Sequence, residues 1–180
     1  AWSLRWYKNM IGNCSADVVS STVPCSNKWM IGTVNSFFIG FVATFIATTL
    51  GTLAALGLSR PHMPYKGLIM AILISPMIVP LIITAAGMFF FYARINLVYS
   101  FTGIILAHVA LATPFVVITV TATLVGFDMN MVKASQSLGA RPVRTFFKVI
   151  MPLILPGVIS GALFAFITSF DEVVIVMFMA

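Results

Sequence analysis

Three titratable side chains stand inside apolar stretches of the sequence, and their positions suggest chemistry with cations. Asp171 and Glu172 are adjacent in TSFDEVVIVMF, and His108 opens the stretch HVALATPFVV. Such groups are costly in an apolar environment unless they meet water, a partner or a cation. Two carboxylates there could ease the passage of a cation, or they could be acids solvated at the start of a loop. His108 could serve transport or be a hydrogen-bonded helix contact.

These residues have no companions for covalent or metal chemistry. The sequence contains no G-x-x-x-x-G-K-[ST] phosphate loop, no His and Cys residues at metal-ligand spacing and no nucleophile beside a recognisable base. We therefore expect no catalytic residue, no metal site and no cofactor. If ATP drives this protein, the hydrolysis must occur on another chain.

The composition is that of an all-α membrane protein. Of the 180 residues, 61% are hydrophobic and 8% are charged, whereas a soluble domain has roughly 25% charged residues. The net charge of +6 could suggest a nucleic-acid partner, but most basic residues flank apolar runs, where they mark topology and contact the membrane surface. We expect a multi-pass protein surrounded by lipid, without nucleic acid.

Four apolar runs are long enough to cross a bilayer, at about 30–58, 68–91, 103–124 and 153–178. In the second run, Pro76 and Pro80 should bend the helix and free carbonyls that only protein neighbours or water can satisfy. Small residues recur at helical spacing in the first and fourth runs, which predicts close helix contacts. They are Gly40, Ala43, Ala47, Gly51 and Ala54 in the first run and Gly157, Gly161, Ala165 and Ser169 in the fourth.

Charge asymmetry predicts the orientation. The loops 59–67 and 125–152 fall on one side and hold Arg60, Lys66, Lys133, Arg141, Arg144 and Lys148. The other side holds Arg5, Lys8, Lys28 and Arg94. Six basic residues against four place the loop 125–152 in the cytoplasm.

The two ends of the sequence suggest a piece of a longer protein. There is no initiator Met, and the final residues VVIVMFMA stop inside an apolar run. Residues 1–28 lack helical or strand periodicity and are predicted to form an extracytoplasmic loop. Cys14 and Cys25 lie in this loop and could pair or remain free thiols.

The stretch 128–156 is the one long polar interruption between spans. Asp128 is placed to cap a helix, Gly139 to end it in the left-handed conformation, and Pro142 to begin the next helix. These features predict two amphipathic helices that form a compact knob able to fit a groove.

This stretch resembles the signature loop of the permease subunits of binding-protein-dependent ATP-binding-cassette importers. The signature is EAA, three residues, G, nine residues, then I-x-L-P. Lys133, Ala134 and Ser135 stand at the EAA positions, Gly139 is the glycine, and Val149, Met151 and Pro152 stand for I, L and P. The LGA of 138–140, the PG of 156–157, SPMIVP and HVALATPFVV extend the likeness over about 29–180.

The resemblance implies an importer permease fold with six spans, of which four are present here, in the bacterial inner membrane. It implies an ATPase subunit, a second permease subunit and an extracytoplasmic solute-binding protein as partners. It also implies that the loop seats in a groove of the ATPase through Lys133, Ala134, Ser135, Leu138, Gly139, Ala140 and Pro152. Lys133 replaces the acidic residue of the motif, so its partner on the ATPase could be acidic.

The segment SFDEVV is similar to the S-x-DDVV-type segment of the spermidine/putrescine branch of these permeases. That likeness implies a polyamine substrate, with Asp171, Glu172 and His108 along its pathway. A permease for an opine, an amino acid or an inorganic ion is the alternative within the family. Outside it, the alternative is a channel or secondary transporter in which a broken helix and intramembrane acids carry a coupling ion.

Overall fold

The computed structural model describes residues 28–60 and 63–179, and this part of the chain is helical. The helices are α1 (Lys28–Leu58), α2 (Lys66–Ile78), α3 (Leu81–Arg94), α4 (Phe101–Val125), α5 (Met129–Ser137), α6 (Pro142–Thr145), α7 (Met151–Asp171) and α8 (Val174–Met179), with a π-helical turn at Phe146–Ile150 between α6 and α7. The all-α prediction is confirmed. The predicted loop 1–28, including Cys14 and Cys25, lies outside the described residues except for Lys28.

Helices α1, α4 and α7 pack against one another and form the core. Ala47 of α1, Ala112 of α4 and Ala165 of α7 are all fully buried in it. Lipid is as apolar as these side chains, so burial alone gives no preference for helix over lipid. Small residues instead let the backbones approach closely enough for dispersion to hold them. The small face predicted for α1 is confirmed except at Ala54, which is half-buried while Ala55 is fully buried.

The small face predicted for α7 is also confirmed, since Gly157, Gly161, Ala165 and Ser169 are all buried. The backbones of α4 and α7 approach closely here, and the side chains of Thr119 and Thr123 lie against the two glycines. A Cβ atom added at Gly161 would lie 3.0 Å from Cα of Val116, and one added at Gly157 would lie 3.2 Å from the carbonyl oxygen of Thr119. These two positions accept no larger residue unless the helices move apart.

The second predicted span is two helices instead of one bent helix. Helix α2 ends at Ile78, α3 begins at Leu81, and the two axes differ by 103°. Pro80 explains the break, because proline lacks an N–H group and drives the preceding residue out of the helical conformation; Val79 is extended. Pro76 remains inside α2. The described chain thus holds three continuous candidate spans, and a fourth if this pair counts as one.

The fourth predicted span differs at both ends. The helix begins at Pro142, passes through the π-helical turn and stops at Asp171, instead of running from 153 to 178. Glu172 is extended, with φ −79° and ψ 103°. The second helix of the predicted knob is therefore not a separate body: it is continuous with α7 in one helical rod, from Pro142 to Asp171.

Helix α8 returns against α3 and α4 and forms a second apolar cluster. Ala85 of α3, Ala107 of α4 and Ile175 of α8 are fully buried there. The backbone N–H of Tyr99, in the loop before α4, donates to the carbonyl oxygen of Met179 at 2.9 Å. This contact fixes the loop before α4 to the end of α8.

Candidate functional site

A cavity of about 390 Å³ lies where α1 and α4 begin and α7 ends. Its polar lining residues are Asn35 and Ser36 of α1, Tyr99 and Ser100 before α4, His108 of α4, and Ser169 and Glu172 at the end of α7. Apolar side chains, among them Ile39, Ile104 and Val176, form the rest of its wall. Cavities of roughly 300–1,000 Å³ with apolar walls and a few polar groups are typical of small-molecule sites.

His108 and Ser169 form a buried pair that joins α4 to α7. Nδ1 of His108 lies 2.8 Å from Oγ of Ser169, and the two residues are 2% and 5% exposed. The helix-contact interpretation of His108 is thus correct for one ring nitrogen. The other, Nε2, is buried and has no hydrogen-bond partner among the described residues. A buried polar atom left in this state costs about 1–3 kcal/mol.

Asp171 and Glu172 lie in different surroundings although they are adjacent in the sequence. Glu172 is half-buried in the cavity wall, and its Oε1 accepts the backbone N–H of Ile175 at 3.0 Å, which caps α8. Asp171 is the last residue of α7, is exposed and does not line the cavity. Of the three predicted pathway residues, the fold brings together His108 and Glu172.

From the sequence, Ser169 was assigned only a packing role, and Asn35 and Ser36 were not identified as residues of a site. Ser169 stands three residues before Glu172, and the pair Asn35–Ser36 interrupts an uncharged apolar run. Ser169 and the pair Asn35–Ser36 were all recognisable in the sequence as polar side chains within predicted spans. What the sequence did not show was the end of α7, which turns Ser169 and Glu172 toward one cavity.

The predicted coupling loop is built from local hydrogen bonds. Oδ1 of Asp128 accepts the backbone N–H of Asn130 at 2.9 Å, Gly139 has φ 78°, and Pro142 begins α6. These three predictions are confirmed. Between the two helices, Oγ of Ser135 lies 2.9 Å from Oγ1 of Thr145, a buried residue that is 2% exposed. This contact links helix α5 to α6, the first turn of the rod that runs from Pro142 to Asp171.

The predicted coupling residues are mostly on the surface of this loop. Lys133, Ala134, Leu138, Gly139 and Pro152 are exposed, whereas Ser135 and Ala140 are half-buried. Leu138 is 88% exposed.

Beside Leu138 runs a shallow groove, called here the basic groove. It is lined by Gly139, Arg141, Val143, Arg144, Phe147 and Lys148. Val143 is 69% and Phe147 is 63% exposed. Exposed apolar side chains with polar or charged residues around them are typical of protein interaction sites.

The variant Thr145→Val should loosen α5 without disturbing the bundle. Valine fills the same space, but the hydrogen bond to Ser135 is lost, which costs about 1 kcal/mol. We expect backbone amides of α5 to exchange hydrogen about fivefold faster, measured by mass spectrometry. Ser137→Ala is the control, because its hydroxyl donates only to the carbonyl of Lys133 on its own helix. Equal exchange in Thr145→Val and the wild type would contradict the role of this bond.

Comparison with known proteins gives one family. The family described as "Binding-protein-dependent transport system inner membrane component" matches residues 47–180. The spermidine/putrescine transport system permease protein PotC of Haemophilus influenzae is 31% identical over 179 residues, which cover 99% of this chain and 65% of that protein. PotC of Escherichia coli K12 is 34% identical over 138 residues, 77% of this chain and 52% of that protein.

Relatives with other substrates in their names are also similar. The sulfoquinovosyl glycerol transport system permease protein SmoH of Agrobacterium fabrum is 28% identical over 138 residues, 77% of this chain and 48% of that protein. This chain thus spans about half to two thirds of the length of the curated relatives it matches. The family match covers most of the chain, including the loop 125–152, α7 and the cavity residues after α3. The chain belongs to the family of inner membrane components of binding-protein-dependent transport systems.

Proposed function

We propose that this chain is part of the permease subunit of an ATP-driven importer for a polyamine such as spermidine or putrescine. The observation that carries the proposal is the continuity of one helical rod. It runs for 30 residues from Pro142, in the exposed loop, to Asp171, beside the cavity. At about 1.5 Å per residue, the rod is about 45 Å long. A displacement of the loop is carried along it to the cavity.

The exposed surface of Leu138 and the basic groove is the part that meets the ATPase. Helix α5 is short, capped by Asp128 and bonded to Thr145, so it cannot move far without α7. Alternating access in transporters needs stiff bodies that move together. Lys133 is exposed on α5, and its partner on the ATPase is an acidic residue in this proposal.

The other proposed partners are inferred from apolar surfaces that the described helices leave uncovered. The described helices leave large apolar side chains exposed along α2 and α3, such as Ile72, Ile82 and Phe90. These surfaces are the places for further helices, a second permease subunit and lipid. The family description names a binding-protein-dependent transport system, and in this proposal a solute-binding protein delivers the substrate to the end opposite the loop 125–152.

A polyamine is the substrate class that the cavity and the relatives support together. The PotC relatives carry spermidine and putrescine in their names, and the cavity contains the carboxylate of Glu172. Family membership argues against an unrelated channel or secondary transporter. The break between α2 and α3 could have suggested a secondary transporter. Neither helix, however, contains an Asp or Glu that could bind a coupling ion there.

The test is uptake by the complete transporter in a strain that lacks its own polyamine importers. We expect uptake of labelled putrescine or spermidine that requires the ATPase and the solute-binding protein. The neutral sugar trehalose, named in another relative, should not be taken up and serves as the control substrate. Uptake of trehalose without uptake of either polyamine would overturn the proposed substrate.

A further inference from the structure

The rod from Pro142 to Asp171 is longer than the hydrocarbon core of a bilayer. Its uncharged stretch, 149–170, is about 33 Å long at about 1.5 Å per residue, and the hydrocarbon core is about 30 Å thick. Charged residues follow at once on both sides, Lys148 at one end and Asp171 at the other. The rod therefore fits a bilayer with these two residues at the boundaries of the hydrocarbon core.

This fit places the two ends of the basic groove at different depths. Arg144 lies about 6 Å farther out along the rod than Lys148, within a polar headgroup layer that is about 5–8 Å thick on each side. Arg141 lies about 10 Å farther out than Lys148 and stands beyond that layer. The part of the groove formed by Arg144, Phe147 and Lys148, called here the membrane end, is thus level with the phospholipid headgroups.

The basic residues of the membrane end have no acidic residue beside them. The acids in the described part of the chain are Asp128, Asp171 and Glu172, and none of them lines the groove. Arg144 and Lys148 are both exposed, and both line the groove. Because two neighbouring cations repel each other, an anion bound between them is attracted by both and relieves that repulsion.

Phe147 supplies an apolar surface beside these charges. Its side chain is 63% exposed, and the ring of Phe146 packs edge-on against it with 5.1 Å between the ring centroids. A soluble anion such as inorganic phosphate gains nothing from apolar surface, whereas the methylene groups of a phospholipid do. Basic residues next to an apolar side chain, at the depth of the headgroups, are typical of sites for anionic lipids.

We propose that the membrane end of the basic groove binds an anionic phospholipid such as phosphatidylglycerol, with Arg144 and Lys148 holding the phosphate group and Phe147 contacting the start of the acyl chains. The site goes beyond the proposed function, because it requires neither a polyamine nor the ATPase. The proposed contact with the ATPase keeps Leu138 and the outer end of the groove, at Gly139 and Arg141. A lipid bound here holds the first turns of the rod at the membrane surface.

Two double variants separate a lipid site from general surface charge. Arg144→Gln with Lys148→Gln removes both charges of the membrane end and keeps long, polar side chains at exposed positions. Arg60→Gln with Lys66→Gln removes one arginine and one lysine as well, from exposed positions outside the groove and on the same predicted side of the membrane. The second double variant is therefore the matched control.

The first measurement is lipid binding to the purified complete transporter in nonionic detergent, followed by native mass spectrometry. Phosphatidylglycerol should bind more tightly than phosphatidylcholine with the same acyl chains, which has no net charge. Its binding should weaken about thirtyfold in the groove variant, since each basic residue near an anionic lipid surface contributes about fivefold, and should stay within about twofold in the control.

Three results would overturn the lipid site. One is equal weakening in the two double variants, which would indicate a general attraction of anionic lipid to surface charge. Another is equal binding of the two lipids by the wild type. The third is displacement of phosphatidylglycerol by inorganic phosphate at the same concentration, which would indicate a site for a soluble anion.

The second measurement identifies what covers the membrane end in the bilayer. A photoreactive benzophenone side chain is placed at position 147 of the complete transporter and, in a separate variant, at position 138. We expect position 147 to cross-link to phospholipid and position 138 to cross-link to the ATPase. Cross-linking of position 147 to the ATPase would overturn the lipid site. Absence of cross-linking between position 138 and the ATPase would instead contradict the coupling contact of the proposed function.

Discussion

The substitution Gly161→Val is expected to prevent stable packing of α7 on α4. The added Cβ would meet Cα of Val116 at 3.0 Å and the hydroxyl of Thr119 more closely still. Val116 lies on α4 and is itself fully buried, so neither backbone can shift locally. Overpacking of this kind typically costs about 1–3 kcal/mol and occasionally more. Nothing compensates for it, since lipid solvates the separated helices well.

The measurement is the amount of monodisperse protein recovered from membranes and its melting temperature in detergent. Gly87→Val is the matched control, because a Cβ at Gly87 would meet nothing within 4 Å and α3 is also a helix of a predicted span. We expect Gly161→Val to aggregate or to melt at least several degrees lower, and Gly87→Val to resemble the wild type. Equal stability of the two variants would show that the close approach of α4 and α7 does not hold the bundle.

The packing of the core was predictable because it depends on residue size and spacing alone. Glycine and alanine at every third or fourth position identify a helix face whatever the partner is. The helix breaks were harder to predict. Pro76 and Pro80 look equivalent in the sequence, yet Pro76 stays inside α2 and only Pro80 separates two helices. A proline kinks or breaks a helix according to whether neighbours satisfy the freed groups, and that depends on tertiary contacts.

The candidate site was predictable in its residue types but not in its geometry. Asp171 and Glu172 carry the same charge and the same apolar flanks, so the sequence treats them as a pair. The helix end at Asp171 turns Glu172 into the cavity wall and leaves Asp171 exposed. The partnership of His108 with Ser169 joins residues 61 positions apart. No local pattern identifies such a pair, because it exists only once α4 and α7 are packed.

The same packing connects the two candidate sites. The small residues that bring α7 against α4 also keep Ser169 within hydrogen-bond distance of His108. At the other end of the rod, Thr145 holds α5. A shift of the rod relative to α4 would therefore change the distance between Ser169 and His108. This gives a physical route from the exposed loop to the cavity that needs only rigid helices.

The substitution Leu138→Asp is expected to weaken binding of the proposed ATPase partner with the fold intact. Leu138 is 88% exposed beside Gly139, so the described part of the chain loses no packing when it is replaced. Burying a leucine side chain at an interface contributes about 1.5–3 kcal/mol, and a carboxylate in its place adds a desolvation cost. The expected result is at least about a tenfold loss of co-purified ATPase. Leu138→Met keeps an apolar side chain of similar volume and should retain binding. If Leu138→Asp kept the ATPase as well as Leu138→Met does, the exposed end of α5 would lie outside the contact with the ATPase, and the coupling proposed for this loop would have to run through the basic groove alone.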